Sequence, residues 1–338
     1  PDPPPPGDRV IPGDVAFRLY DTYGLPRDFI EDMIEDRKLT LDRDGFERAM
    51  EEQRDKARAK STFKGGGAKD VAWVADDEVR QEPGRLGDGG FRGYDTTTLN
   101  TQVLALFDDE QRQVEAIAAG ADGFAALAET PFYLEAGGQV SDRGALSGPQ
   151  GEAEVVGLVR APGWPRLHRI HVTTGTLRQR DLVRADVQTP LRDATRRNHT
   201  ATHLLHAALR QVLGAHVKQA GSLVAPDRLR FDFVHFAALT PEQLQRIEQI
   251  VNEQVLRNTP VVTEVKPTQE AMAAGAMALF GEKYGDRVRV VSIPGFSMEL
   301  CGGTHVRATG DIGLFAIDSE GGVAAANGKG RVCIGLGE

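Results

Sequence analysis

The segment Arg196–Gly214, RRNHTATHLLHAALRQVLG, constrains the fold more than any other stretch of the chain. Its apolar residues Ala201, Leu204, Leu205, Ala208, Leu209, Val212 and Leu213 recur at helical spacing in a single stripe, which predicts an amphipathic helix with one face against a core. At about 100° per residue, His199 and His203 project mostly away from that stripe and lie one turn apart on the same side. They read as site residues rather than core histidines, because this spacing on a helix lets two imidazoles converge on one tetrahedral ion.

One histidine pair does not make a metal site. Cys301-Gly302-Gly303-Thr304-His305 supplies a second pair, a thiolate and an imidazole, separated by two glycines that let the backbone fold tightly around an ion. Together His199, His203, Cys301 and His305 offer one thiolate and three imidazoles, a full set for zinc (Zn2+). The alternative is a pair of surface imidazoles and a buried thiol. His206 on the helix flank and His235 in a strand pattern read as local hydrogen-bonding groups outside the set. No carboxylate follows His199, so the His-Glu-x-x-His arrangement of metalloproteases, with Glu as general base, is absent. Chemistry at such a site needs a metal-polarised water or a proton acceptor on the substrate itself.

Cys301 and Cys333 are the only cysteines, too few for a disulfide framework and consistent with a reduced thiolate in a cytoplasmic setting. With 338 residues, 40% of them apolar, the chain can build two or three domains with their own cores. No apolar run approaches the roughly 18 residues of a membrane helix, and the N-terminus lacks a signal-peptide pattern, so no membrane partner is expected. A formal net charge of −9 argues against indiscriminate nucleic-acid binding. Nine arginines nonetheless stand between Arg160 and Arg197 against Asp181, Asp186 and Asp193. That strip reads either as solvated surface or as a dock for a phosphate backbone.

Three regions are expected. Residues 1–70 comprise a Pro-rich lead-in, PDPPPPGD, that looks like a cut end, then a helical pattern from about Asp14 to Lys60 broken at Gly24 to Pro26, then a linker at Gly65-Gly66-Gly67. Phe46 and Met50 give the charged stretch after Asp42 only a thin apolar stripe, as in a helix that bridges solvent or leans on a neighbour outside the chain. Residues 71–190, with short apolar runs such as Val103–Phe107 and Val155–Val159, read as a small β-barrel or sandwich, with the barrel preferred. Residues 191–338 read as an α+β core with helices packed on an antiparallel sheet. Within it Thr240-Pro241-Glu242-Gln243 is a helix start, and Leu229, Phe231 and Phe233 alternate as a half-buried strand. The fold class is therefore α+β, with a helical N-terminal segment.

The string RRNHTATHLLHAALRQVLGAHVKQAGSLV, followed downstream by CGGTHVRATGDIG, closely resembles the editing domain of alanyl-tRNA synthetases. TPFYLEAGGQVSDRGAL resembles the small barrel before that domain, and AFRLYDTYGLPRDF with GFERAMEEQRDKARA resembles the end of the family's tRNA-recognition helices. The resemblance implies that His199, His203, Cys301 and His305 ligate zinc and that Thr202 and Gln219 line the pocket testing the amino acid. It implies hydrolysis of the ester of serine or glycine wrongly attached to tRNA(Ala), with the acceptor end of that tRNA as partner. Such a second site is needed because a pocket for alanine cannot easily reject glycine or fully exclude serine. The hydroxyl of Thr202 has a plainer use, bonding back to its own turn. Gly137-Gly138-Gln139 invites comparison with the ester-hydrolysing loop of peptide release factors but reads better as a tight turn.

No Walker loop is present, and no segment ahead of Asp14 holds an ATP-binding domain, so aminoacylation is not expected of this chain. The end, GGVAAANGKGRVCIGLGE, departs from the family, which continues there into an arginine-rich strand, so the resemblance supplies no closing strand. Two other readings stand beside the editing enzyme: a free-standing trans-editing deacylase, and a tRNA-binding module whose zinc only holds the fold. The editing domain of threonyl-tRNA synthetases is a weaker resemblance. As a fragment, the chain is expected to be a monomer.

Overall fold

The computed structural model describes residues 10–21, 40–43, 45–48, 50, 73, 90–235, 237–278, 284–324 and 329–335. The Pro-rich lead-in, the break at Gly24 to Pro26 and the Gly65-Gly66-Gly67 linker lie outside the described residues. The chain falls into two compact units, Pro1–Asp70 with Gly322–Lys329, and Val71–Gly321 with Gly330–Glu338.

In the first unit, β1 (Val10–Ile11) pairs in parallel with β2 (Thr40–Leu41), and α1 (Gly13–Asp21) follows β1. Residues 43, 45–48 and 50 are also helical, with Asp42 Oδ1 accepting from the Gly45 amide at 2.9 Å as a helix cap does. Phe46 is fully buried against Ala16, with Ile11, Phe17, Leu41 and Met50 around them. The thin stripe of Phe46 and Met50 thus finds its neighbour inside the chain, which corrects both the solvent-bridging and the external-neighbour expectation. Gly13 permits the approach, since a Cβ there would collide with the backbone nitrogen of Phe46.

The second unit begins with eight strands: β3 (Thr98–Asp108), β4 (Gln113–Val114), β5 (Ala116–Ala118), β6 (Asp122–Leu127), β7 (Gly144–Ser147), β8 (Gly151–Ala161), β9 (Trp164–Arg178) and β10 (Leu182–Val187). Six of them close an antiparallel barrel in the order β3-β6-β9-β8-β7-β10, with β10 pairing back onto β3. The apolar runs explain it: Ala153 and Val155 point inward while Glu152, Glu154 and Val156 point out. Three register shifts between β8 and β9 mark bulges, which bend long strands enough to close a small barrel.

Inside the barrel wall His168 is fully buried. Its Nδ1 lies 3.0 Å from the Ala125 carbonyl, which only accepts, so Nδ1 carries the proton and Nε2 accepts from the Thr130 hydroxyl at 2.7 Å. Burial pulls this imidazole down to about 4.

Helix α2 (Thr189–Leu213) has Pro190 in its first turn and begins ~two turns ahead of Arg196. Arg192, in those added turns, is fully buried. Its Nε donates to Asp142 Oδ1 at 2.9 Å, Nη1 to Gly93 O and Nη2 to Pro131 O at 2.7 Å each, and Nη2 also pairs with Asp142 Oδ2. This residue anchors the helix to the barrel. Of the nine arginines in the strip only Arg192 is interior; Arg184 pairs with Asp186 and Arg196 with Asp193, both at 2.9 Å, and all eight others are at least partly exposed.

The stripe of α2 packs on β12 (Arg228–Val234), next to β11 (Gln219–Val224), and on α3 (Pro241–Arg257). Leu229, Phe231 and Phe233 are all fully buried, as their alternation predicts. At the start of α3 the Thr240 hydroxyl accepts from Gln243 N and Gln243 Oε1 from Thr240 N, with Pro241 between. A second sheet holds β13 (Val262–Pro267), β14 (Arg287–Ile293) and β15 (Ser297–Leu300), with α4 (Thr268–Ala273) after β13. Finally β16 (Ser319–Ala324) and β17 (Lys329–Gly335) complete a four-stranded sheet in the order β11-β12-β17-β16, so the atypical C-terminal sequence does form a closing strand. Among the described residues no helix is long and apolar enough to cross a membrane.

Two outcomes are expected. Arg192→Leu leaves Asp142 charged and unpaired in the interior and should cost about 3–5 kcal/mol in urea unfolding. For His168 the unfolded chain binds a proton below 6.5 while the folded chain resists until about 4. Stability should therefore be fully present above pH 6.5 and fall as pH drops through that window, by at most about 3 kcal/mol. His168→Gln should flatten that segment of the stability profile.

Candidate metal centre

Three elements of the second unit converge on one point: the middle of α2, the loop leaving β15, and the turn Ala136–Gln139 between β6 and β7. The sequence reading put His199 and His203 on a polar, outward side of α2. The structure corrects this, for they are only 6% and 5% exposed. From Asn198 to Leu209 every residue of α2 is buried, because the loop and the turn cover the side opposite the apolar stripe.

His199, His203, Cys301 and His305 come together with their ligand atoms all within 4.8 Å of one another. Cys301 Sγ lies 3.4 Å from His199 Nε2 and 3.3 Å from His305 Nε2. In a tetrahedron with Zn–S of about 2.3 Å and Zn–N of about 2.0–2.1 Å, sulfur and nitrogen are separated by about 3.5 Å, so this donor set fits zinc in both chemistry and spacing.

Each imidazole is held from behind. His199 Nδ1 lies 2.7 Å from Gln139 Oε1, His203 Nδ1 faces Glu299 Oε2 at 3.4 Å, and His305 Nδ1 lies 3.1 Å from the Thr200 hydroxyl. Since Thr200 donates its own proton to Arg196 O at 3.0 Å, it accepts from His305. Glu299, acceptor only, is buried on β15 and also receives His206 Nδ1 at 3.2 Å. His206 is therefore not a ligand but shares the carboxylate that steadies one. His235 stands apart, 3.1 Å from His216.

The Cys301–His305 loop is clamped as firmly. Arg289 Nη1 donates to the carbonyls of Cys301 and Gly303 at 2.8 Å each, Tyr94 donates to Gly302 O at 2.6 Å, and the Arg289 guanidinium lies 4.1 Å above the Tyr94 ring. A Cβ on Gly303 would strike the His199 ring, which is why glycine stands there. Burial disfavours the Cys301 thiolate, yet the rings of His199, His305 and His203 outweigh it and hold the thiol well below its usual range. Burial likewise opposes charge on His203, but Glu299 and Cys301 push it up to about 9. His305 is pushed well below the ordinary value, by burial first and by His199.

Beside the cluster opens a cavity of about 310 Å³, lined by His199, Thr202, His203, Gln219, Arg287 and Cys301 among others. Thr202 and Gln219 thus border the same space. The Thr202 hydroxyl donates to Asn198 O at 2.8 Å, and Gln219 Nε2 to Ser222 Oγ at 3.1 Å. Sequence reasoning missed Glu299, Thr200 and Arg289 altogether and set Gln139 aside with its turn. Of these only Gln139 carried a local signal, the two glycines before it.

Comparison with known proteins then places the chain. The family model "tRNA synthetases class II (A)" matches residues 6–191, more than half of the chain. The chain belongs to this family. A second model, the threonyl and alanyl tRNA synthetase second additional domain, matches residues 288–327, a stretch containing Cys301 and His305. Alanine–tRNA ligase of Solibacter usitatus is 50% identical over 319 residues, covering 94% of this chain and 35% of that ligase. Those of Geobacillus thermodenitrificans and Pseudomonas syringae pv. tomato are 48% and 50% identical over 323 and 317 residues, again 94% of this chain and 35% of theirs. The chain thus spans about a third of the length of these ligases.

The purified chain should hold about one zinc ion by elemental analysis. Cys301→Ser combined with His203→Ala should remove it. Stoichiometric zinc in that double variant would show that the ion sits elsewhere.

Proposed function

We propose that this chain is an editing module of an alanyl-tRNA synthetase, hydrolysing the ester that joins serine or glycine to the 3′ end of tRNA(Ala). The observation that carries the reading is a one-cysteine, three-histidine cluster bordering a cavity large enough for an aminoacyl ester. Membership of a synthetase family supplies the substrate class, and the four side chains are the ones that would hold zinc. Bound there, zinc supplies Lewis-acid polarisation of the ester or of a water.

The protein's own residues do the sorting. The Thr202 hydroxyl has its proton committed to Asn198 O, so toward the cavity it offers lone pairs. A serine side chain can donate to them and an alanine methyl cannot. One such bond contributes about 0.5–1.5 kcal/mol, a preference and not an absolute filter. Gln219, tied to Ser222, borders the cavity as a second polar contact for the aminoacyl end. Glu299 also borders the cavity, with Oε1 accepting from His206 and Ser297 and Oε2 facing His203.

A second reading has one observation in its favour: four protein ligands fill a tetrahedral shell, the habit of structural zinc. Under it the chain binds tRNA without cleaving it. The two readings part in one assay, deacylation of seryl-tRNA(Ala) against alanyl-tRNA(Ala) by the full chain. Editing predicts preferential release of serine, reduced about 3- to 10-fold for Thr202→Val, whose lost hydrogen bond corresponds to that factor. Stable binding of both tRNAs with no release above the uncatalysed rate would leave only the structural reading.

A further inference from the structure

The turn Ala136-Gly137-Gly138-Gln139 belongs to the barrel segment, yet its last side chain ends at the metal cluster. Gly137 and Gly138 have φ of 59° and 88°, the pair of positive values that a tight type I′ turn requires, and Ala136 and Gln139 exchange backbone hydrogen bonds across it. The turn is stitched to β11, for Val224 N donates to Gly138 O at 2.8 Å and Val140 N to Val224 O at 3.0 Å. This geometry turns Gln139 inward, where it is completely buried and does not line the cavity. A water-directing part at the ester, as in release factors, is therefore closed to it.

Three hydrogen bonds of the amide have a fixed direction. Oε1 accepts from the Thr304 backbone N–H at 2.8 Å, a group that only donates, so oxygen and not nitrogen must stand there. The same oxygen lies 2.7 Å from His199 Nδ1, which must then carry a proton, and Nε2 donates to the Thr304 hydroxyl at 2.9 Å. A backbone amide thus fixes the orientation of a glutamine, and the glutamine fixes the tautomer of a histidine. His199 is left with its lone pair on Nε2, the atom 3.4 Å from Cys301 Sγ.

We infer that Gln139 is a positioning residue of the metal centre, by which the barrel selects the tautomer and ring orientation of His199 and so sets metal affinity. The inference rests on the reading of His199 as a zinc ligand. Partners of this kind behind a ligating histidine typically govern affinity 10- to 100-fold.

The test measures zinc affinity of the full chain by competition with a chromophoric chelator. Gln139→Leu should weaken binding about 10- to 100-fold. Gln139→Glu, which keeps both acceptor contacts, should restore affinity to within a few-fold of the parent. Thr304→Val, which removes the amide's other side-chain bond but not the one to His199, should change it little. Equal affinity in Gln139→Leu and parent would overturn the inference, as would a loss in Thr304→Val matching that in Gln139→Leu. Failure of the unaltered chain to bind zinc would instead overturn the metal reading itself. Should Gln139→Leu not fold, nitrogen NMR of the zinc-loaded parent decides: His199 protonated on Nδ1 and metal-bound through Nε2 supports the assignment, and the reverse tautomer refutes it.

Discussion

A thiolate and three imidazoles cannot be packed within a few ångström in an interior unless each is oriented by something else. Here the orienting groups come from different elements. Gln139 reaches from the barrel turn, Glu299 from β15, and Thr200 from the ligand helix itself, while Arg289 and Tyr94 hold the carbonyls of the cysteine loop. The arrangement of the unit follows from that need. Arg192 locks the first turns of α2 onto the barrel, the apolar stripe locks its middle onto β12 and α3, and the remaining side faces the ligands. Buried polar groups on this scale are tolerable because nearly all are satisfied, and the few that are not include His206 Nε2 and Asn198 Oδ1 beside the site.

Much of this was legible in the sequence because it is local. The i,i+4 histidines, the Cys-Gly-Gly-Thr-His loop, the capping box at Thr240 and the alternation of Leu229, Phe231 and Phe233 are patterns within a few residues, which backbone periodicity translates directly into faces. The barrel was legible in outline for the same reason. What escaped was the partner of each pattern. Gln139 stands 60 residues before His199, and Glu299 is 93 residues beyond His206. No spacing rule connects such pairs; only the closed barrel and the β14-β15 hairpin bring them together.

The misreading of the helix faces has the same root. A polar side on an amphipathic helix normally meets water, and by that rule His199 and His203 were outward. At a site the polar side meets other polar groups instead. Arginine counting was a partial guide: eight of the nine in the segment do reach the surface, but Arg192 is an internal anchor, and Arg184 and Arg196 are paired with neighbouring aspartates. Composition records charge and not where the chain puts it.

The account stands on the cluster being a zinc site of one sulfur and three nitrogens, with a cavity beside it. X-ray absorption at the zinc edge on the full chain tests this most directly. The account predicts one sulfur at about 2.3 Å and three nitrogens at about 2.0–2.1 Å, with the sulfur contribution gone in Cys301→Ser. A shell of oxygen and nitrogen alone in the unaltered chain, or a sulfur contribution that survives Cys301→Ser, would contradict it.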